Sequence, residues 1–363
     1  MALVLKDLNI DGFERVVEVV DEACGLHAVI AIHDTTLGPA LGGIRFFPYN
    51  NIEEAITDAT RLGKGMTYKA AMAGVGFGGG KSVIMVHPQH KTEALLKSFA
   101  EAVNTLEGLY ISAPDYGCTM EDIKVIRGVT KYVVSVPGDQ GSGDPSPFTA
   151  YGTVLGMKAT LKQLFGADSF KGKTVAIQGL GSVGFKIAEQ LFWLGAELIV
   201  ADPCFEKTQA AKRCFGARVV STEDILSVEC DLLAPCALGG VINSRTIAAL
   251  RCKAIVGCAN NQLLSDLDAK ALKDRDVLYA PDFVANAGGL INVSFELNEE
   301  GYKPQNARDK INQIDETLTK IYELAEENDC STQAAVLSLI EYRLKHKVGK
   351  REEAVYFHEL VGV

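Results

Sequence analysis

The run Gly179-Leu-Gly181-Ser182-Val183-Gly184 follows the apolar stretch TVAIQ and stands where a helix should open. Gly179 would permit a tight turn, Gly181 would leave the backbone bare for a pyrophosphate, and Gly184 would let a helix lie close on a strand. The N–H groups at the helix start, around Ser182 and Val183, would then face the phosphates. Asp202 closes the next apolar run, ELIVA, eighteen residues beyond Gly184. A carboxylate there accepts hydrogen bonds from a ribose diol and repels a 2′-phosphate. Lys207 is the nearest following cation, and no arginine follows closely, so NAD is favoured over NADP. A glycine-rich turn with no ligand is the plain alternative. The strand–turn–helix context and the terminal acid weigh against it.

A dinucleotide site does not by itself name a reaction, so the remaining chemistry must come from elsewhere in the chain. Lys81 follows GVGFGGG, Lys69 ends GKGMTYK, and Asp115 lies in SAPDYG. Most lysines are solvated surface charges. A glycine-rich loop costs folding entropy, however, and usually exists to let backbone or substrate come close. A lysine held in such a place and partly desolvated has a lowered pKa and can act as a base near neutral pH.

The elements that must position these residues fall into two patterns. Before residue 135, strands at 27–34, 44–47, 81–86 and 108–115 alternate irregularly with helices at 52–64 and 91–107, with glycine-rich turns between them. The segment 135–148 holds three prolines and three glycines and reads as a linker or hinge. Pro147 could open the helix that follows. From 173 onward strands and helices alternate: strands at 197–202, 217–220, 230–237, 254–259 and 277–282 follow TVAIQ, with helices between. Such repetition means a parallel sheet covered by helices. Helices around 311–324 and 332–346 close the chain. The expected fold is α/β with two domains, an N-terminal mixed α/β substrate domain and a Rossmann doubly wound parallel-sheet domain, with a cleft between them. The expected boundaries are 1–140 for substrate binding, catalysis and oligomerisation, 141–330 for NAD binding, and 331–363 for a C-terminal helix and tail returning to the first domain.

Composition narrows the classes. The 363 residues are 47% hydrophobic and 23% charged, with a formal net charge of −10. An acidic chain of this kind is not drawn to nucleic acid or to anionic membranes. No apolar run reaches the roughly 18 residues of a membrane helix. The nine cysteines are scattered with no CxxC, which fits reduced thiols rather than a disulfide framework or a metal site. A cytoplasmic location and no metal are expected.

The segments TTLGPALGGIRF, RLGKGMTYKAAMAGVGFGGGKSVI, SAPDYG, GDPSPFTAYG, the glycine motif, APCALGG, CANNQL and YAPDFVANAGGLINV occur in this order. Over about residues 27–345 the chain resembles the amino-acid dehydrogenases of the glutamate/leucine/phenylalanine/valine type, most closely the branch acting on leucine. The resemblance implies that Lys69 binds the substrate α-carboxylate, next to Gly42 and Gly43. It implies that Lys81 is the base that activates water and that Asp115 shuttles protons to and from the substrate nitrogen. It also places Asn261 near substrate and cofactor, and Thr149, Cys236, Ala237 and Asn286 beside the cofactor. Oxidative deamination requires such parts: hydride leaves Cα, water adds to the iminium, and ammonia departs. The chain departs from that branch at Pro114, where the branch has glutamate; the aspartate is retained.

Glutamate-specific members of the family carry a lysine and a serine for the γ-carboxylate where this chain has Leu41 and Val293. The resemblance therefore implies an aliphatic pocket of Leu41, Met66, Leu290 and Val293, a set that without it reads as plain core. The implied substrates are leucine and other branched-chain amino acids, with 2-oxo acid and ammonia as products and a homo-oligomer as the working form. Dehydrogenases of valine, phenylalanine or tryptophan in the same family are the alternatives. A non-catalytic dinucleotide-binding protein is disfavoured because Lys69, Lys81 and Asp115 are all present. A hydroxy-acid dehydrogenase would need a histidine base, and 141–330 contains none.

Overall fold

The computed structural model describes residues 3–138 and 141–357. The chain divides into two compact units, one formed by Met1–Pro145, Leu290–Ala307 and Tyr342–Val363, the other by Ser146–Gly289 and Arg308–Glu341.

The first unit begins with β1 (Val4–Leu8), β2 (Arg15–Asp21), β3 (Leu26–Asp34), β4 (Ala40–Phe46), α1 (Ile52–Ala73), β5 (Gly78–Ile84), α2 (Glu93–Asn104), β6 (Tyr110–Pro114) and α3 (Met120–Arg127). Its strands make one sheet in the order β1-β2-β3-β5-β4-β6. The pairs β1–β2, β2–β3 and β3–β5 are antiparallel, while β4 pairs parallel with both β5 and β6. Strand alternation serves two cores. Ile30 and Ile32 of β3 join Phe99 and Val103 of α2 and Ile123 of α3 in one, whereas Val29 and Ala31 join Val83, Ala55 and Ala59 in the other. Helix α1 starts where the Asn51 side chain accepts from Glu54 N, 2.9 Å, with Glu53 and Glu54 in its first turn. It ends at Gly74, whose left-handed backbone returns its N–H to Ala70 O.

In the second unit, α4 (Ser146–Phe165) precedes β7 (Thr174–Gln178), α5 (Ser182–Trp193), β8 (Glu197–Ala201), α6 (Phe205–Phe215), β9 (Arg218–Val219), β10 (Cys230–Pro235), α7 (Ser244–Ile247), β11 (Cys252–Ile255), α8 (Asp266–Lys273), β12 (Leu278–Tyr279) and α9 (Asp282–Ala285). Every pair in this sheet is parallel. The order β9-β8-β7-β10-β11-β12 is the 3-2-1-4-5-6 order of the doubly wound dinucleotide fold, which reverses direction between β7 and β10. Pro147 does stand in the first turn of α4.

Helix α10 (Gly288–Ser294) then carries the chain into the first unit, and α11 (Pro304–Ile311) carries it out again. Helix α12 (Gln313–Glu327) lies on α4, where a Cβ at Gly152 or Gly156 would come within 2.8 or 3.0 Å of Ile314 or Leu318. Helix α13 (Thr332–Lys345) ends in the first unit, where Arg343 donates to Ala71 O at 2.7 Å. Within the expected hinge segment, Asp139 and Gln140 lie outside the described residues. On either side of them the backbone N–H groups of Ser135 and Ser142 donate to the buried carboxylate of Glu296, each at 2.7 Å. Burial raises the Glu296 pKa, and these bonds offset part of the rise.

Two glycine runs expected as turn and loop are strand. Gly42 and Gly43 lie inside β4, and Gly78, Gly79 and Gly80 open β5. The physical reason is close approach. A Cβ at Gly79 would sit 1.9 Å from Thr67 N of α1, and one at Gly80 would sit 2.9 Å from the Tyr110 ring. The N-terminal strands β1 and β2 were not expected at all.

Candidate active site

Lys81 sits in β5, almost wholly buried, and its ammonium donates to Asp115 Oδ2 at 2.6 Å. Asp115 is the first residue after β6. The strand between them is β4, and β4 has glycine at the crossing point. A Cβ at Gly43 would lie 2.6 Å from Asp115 Cβ and 2.9 Å from Lys81 Nζ, and one at Gly42 would lie 1.7 Å from Gly80 O. The two lysine-neighbouring motifs are therefore one construction: glycines in the middle strand let a side chain from β5 reach the end of β6. Pro114 pairs with Ile44 as the last residue of β6 and leaves the aspartate within reach of Lys81. The loop beyond it is held by Lys91, which donates to Gly117 O at 2.7 Å and to Asp122.

Arg45, two residues after Gly43 on the same face of β4, was not singled out from the sequence. Its Nε donates to the same Asp115 Oδ2 at 3.0 Å, and its Nη1 donates to Asp58 Oδ2 at 3.0 Å. Tyr49 also donates to Asp58 Oδ2, at 2.6 Å. Burial lowers the Lys81 pKa, and Asp115 restores part of it. For Asp115, burial alone would raise the pKa, but Lys81 and Arg45 outweigh it and hold the carboxyl well below the usual carboxylate range. The Tyr110 hydroxyl, donating to Gly42 O at 2.8 Å, fixes the glycine strand from β6. The signal for Arg45 was the strand period of two; Asp58 and Tyr49 gave none.

An apolar cluster draws on β4 and β6, the strands that bring this pair together. Leu41, Ala70, Ile111, Ala113, Val134, Leu290 and Val293 are buried together, and Met66 packs against them. The four residues expected to line a side-chain pocket are thus brought together, two of them from α10. Lys69 is buried at 8% exposure near the end of α1. Its spacing from Met66 places it on the same helix face.

The remaining candidates belong to the second unit. Gly179 has φ 99°, and a Cβ there would lie 2.8 Å from Ala237 Cβ. A Cβ at Gly184 would lie 2.1 Å from Gly179 O and 3.2 Å from Cys236 Cβ. Gly181, by contrast, has nothing within 4 Å of such an atom, and the start of α5 carries no side-chain cap. Gly181 thus leaves room beside the start of α5 at the switch point, where the Ser182 and Val183 N–H groups would serve a pyrophosphate. Asp202 accepts from Leu180 N at 2.7 Å and Cys204 N at 2.8 Å; each carboxylate oxygen retains capacity for one further donor. Asn286 donates to Cys258 O at 3.1 Å and Asn260 Oδ1 at 3.0 Å, while its Oδ1 is buried with no partner among the described residues. Such an orphaned acceptor fits an amide donor from a ligand. A Cβ at Gly288 would lie 3.2 Å from Thr149 Cα, so the start of α4 and the Asn286 turn adjoin. Asn261 has φ 52°; its N–H donates to Asp282 Oδ2 at 2.5 Å.

A doubly wound sheet and, in the other unit, a buried lysine–aspartate pair on strands that also carry an apolar cluster are parts that an amino-acid dehydrogenase requires. Comparison with known proteins agrees. Residues 14–132 match the model for the Glu/Leu/Phe/Val dehydrogenase dimerisation domain, and residues 141–202 and 205–345 match that for Glutamate/Leucine/Phenylalanine/Valine dehydrogenase. The chain is 46% identical over 335 residues to the leucine dehydrogenase of Thermoactinomyces intermedius, covering 92% of this chain and 91% of that one. It is 45% identical over 333 residues to the phenylalanine dehydrogenase of Lysinibacillus sphaericus, covering 89% and 86%. The crystal structure of L-tryptophan dehydrogenase from Nostoc punctiforme superposes with a TM-score of 0.76 at 42% identity, covering 92% and 96%. The chain belongs to the Glu/Leu/Phe/Val dehydrogenase family.

Proposed function

We propose that this enzyme catalyses the NAD-dependent, reversible oxidative deamination of L-leucine and other branched-chain L-amino acids to 2-oxo acids and ammonia. The observation that carries this reading is the burial of Leu41 and Val293 in one apolar cluster with Ala113, two residues from Asp115. An aliphatic side chain gains about 1.5–3 kcal/mol by entering such surroundings. The similarity to leucine dehydrogenases supports the same substrate.

The proposed roles follow from the geometry. Lys69 pairs with the α-carboxylate and fixes the Cα. NAD, when bound along Gly179–Gly184 with Asp202, Cys236, Ala237, Thr149 and Asn286 around it and Asn261 close by, supplies the hydride acceptor. Asp115 uses Oδ2 for its two cations. Its Oδ1, which no donor among the described residues reaches, exchanges protons with the substrate nitrogen. Lys81 in its neutral form takes a proton from the water that adds to the iminium carbon. Once the nitrogen of the resulting tetrahedral carbon is protonated through Asp115, the hydroxyl proton is lost to solvent and the C–N bond breaks, giving the 2-oxo acid and ammonia. Activity therefore rises toward alkaline pH, where Lys81 and the substrate amine are both neutral.

The test is NADH formation with the twenty amino acids and either NAD or NADP. Leucine, valine and isoleucine should lead; a best rate on phenylalanine would overturn the pocket reading. NAD should be preferred to NADP by at least about tenfold, about 1.4 kcal/mol, because the Asp202 carboxylate repels a 2′-phosphate. Replacing Asp202 with alanine should narrow that gap, and equal use of NADP by the unaltered enzyme would refute the role of Asp202. The match of residues 14–132 to a dimerisation domain supports a homo-oligomer. Nine free cysteines support a reducing, cytoplasmic setting. Among the described residues no helix is long and apolar enough to cross a membrane.

A further inference from the structure

We infer that Arg45, braced by Asp58, is a positioning residue that takes a share of the Asp115 carboxylate and so lets Lys81 release its proton. The inference rests on the reading of Lys81 as the base. A lysine buried against a single carboxylate holds its proton, because the ion pair is lost when it becomes neutral. The same aspartate that makes a proton relay possible thus works against the base.

The geometry supplies the remedy. Lys81 and Arg45 donate to one oxygen, Oδ2, at 2.6 and 3.0 Å. Arginine remains protonated under all working conditions, so the carboxylate keeps a cationic partner when Lys81 gives up its proton. The fixed positive charge of Arg45 also favours the neutral form of Lys81. Both cations on Oδ2 turn Oδ1 toward the substrate nitrogen. Asp58 limits the effect. It accepts from Arg45 at 3.0 Å and from Tyr49 at 2.6 Å, so that Arg45 is held in place and its charge partly balanced.

The charged groups acting on Lys81 are Asp115 after β6, Arg45 of β4 and Asp58 of α1. Opposite Lys81, β3 brings only Ala31, and β6 contributes the neutral Tyr110. Lys69, also on α1, is common to every variant below and cannot change the comparison. Burial is the largest influence lowering the Lys81 pKa; Asp115 acts upward, Arg45 downward and Asp58 upward. Removing Arg45 or removing the charge of Asp58 must therefore act in opposite directions.

The experiment is the pH dependence of kcat/KM for leucine and NAD in the intact enzyme and in Arg45→Gln, Arg45→Lys, Asp58→Asn and Lys81→Ala. The substrate amine titrates identically in all of them, so differences report the enzyme. Arg45→Gln should move the rising limb about one unit toward higher pH, and Asp58→Asn should move it toward lower pH. Arg45→Lys keeps the charge without the planar fork; its limb should stay nearer the original while kcat falls. If Arg45→Gln does not fold, Asp58→Asn decides alone. A merely loosened site would hydrate Lys81 and raise its pKa in either variant, so the downward shift expected of Asp58→Asn is the one that loosening cannot imitate. Limbs that stay in place, or that move in the same direction, would overturn the inference. Lys81→Ala should keep only the titration of the substrate amine; a rise as steep and as placed as in the intact enzyme would instead refute Lys81 as the base.

Discussion

Lys81→Ala should lower kcat for leucine oxidation by at least about 10²-fold, the low end for loss of a general base, and flatten its rise with pH. The variant should still fold. Removing one partner of a buried ion pair commonly costs about 3–5 kcal/mol, because the other charge is left alone. Here Asp115 would retain Arg45 at 3.0 Å. The loss should therefore appear in turnover while thermal unfolding and NAD binding change little. Steady-state NADH formation between neutral and alkaline pH, alongside a melting curve, checks both halves. Near-normal turnover would remove Lys81 from the mechanism.

Glutamate should be turned over with a kcat/KM at least about 10³-fold below that of leucine. Its γ-carboxylate would enter the cluster of Leu41, Val293, Leu290 and Val134, in which none of the members carries a side-chain donor. An unpaired charge in such a place costs several kcal/mol, and about 4 kcal/mol corresponds to about 10³ in rate constant ratio. The penalty falls on glutamate alone, because the role proposed for Lys69, pairing with the α-carboxylate, is the same for every amino acid. Competition between the two substrates in one assay measures the ratio directly, and a value within tenfold would mean that the side chain lies elsewhere.

The second sheet was legible because its strands are short apolar runs such as ELIVA and CDLLAP, buried and bounded by glycine. Strand β1 was not: VLKDL is an edge with mostly exposed positions, so nothing forces a hydrophobic period. Glycines 42–43 and 78–80 read as turn and loop because glycine is poor in strands. Tertiary crowding by Thr67, Tyr110 and Lys81 overrides that preference. The candidate residues Lys81 and Asp115 were visible through motif resemblance. Their supporting cation Arg45 was not, because its partner Asp115 lies 70 positions further along the chain and a strand arginine is ordinarily solvated.

The first unit is assembled from three separate stretches of chain, with the second unit's sequence threaded between them. During synthesis, a chain that has emerged as far as Gly289 already contains every strand of the parallel sheet. It still lacks Leu290, Val293 and Glu296. Closing the first unit then requires contacts across great lengths of sequence, such as Ser135 with Glu296, 161 residues apart, and Ala71 with Arg343, 272 apart. Contacts of that separation form slowly, and an unfinished apolar face is exposed meanwhile. The unit that carries Leu41, Leu290 and Val293 is thus the last to mature on the ribosome, and substitutions in 290–297 should be felt first in the yield of folded protein.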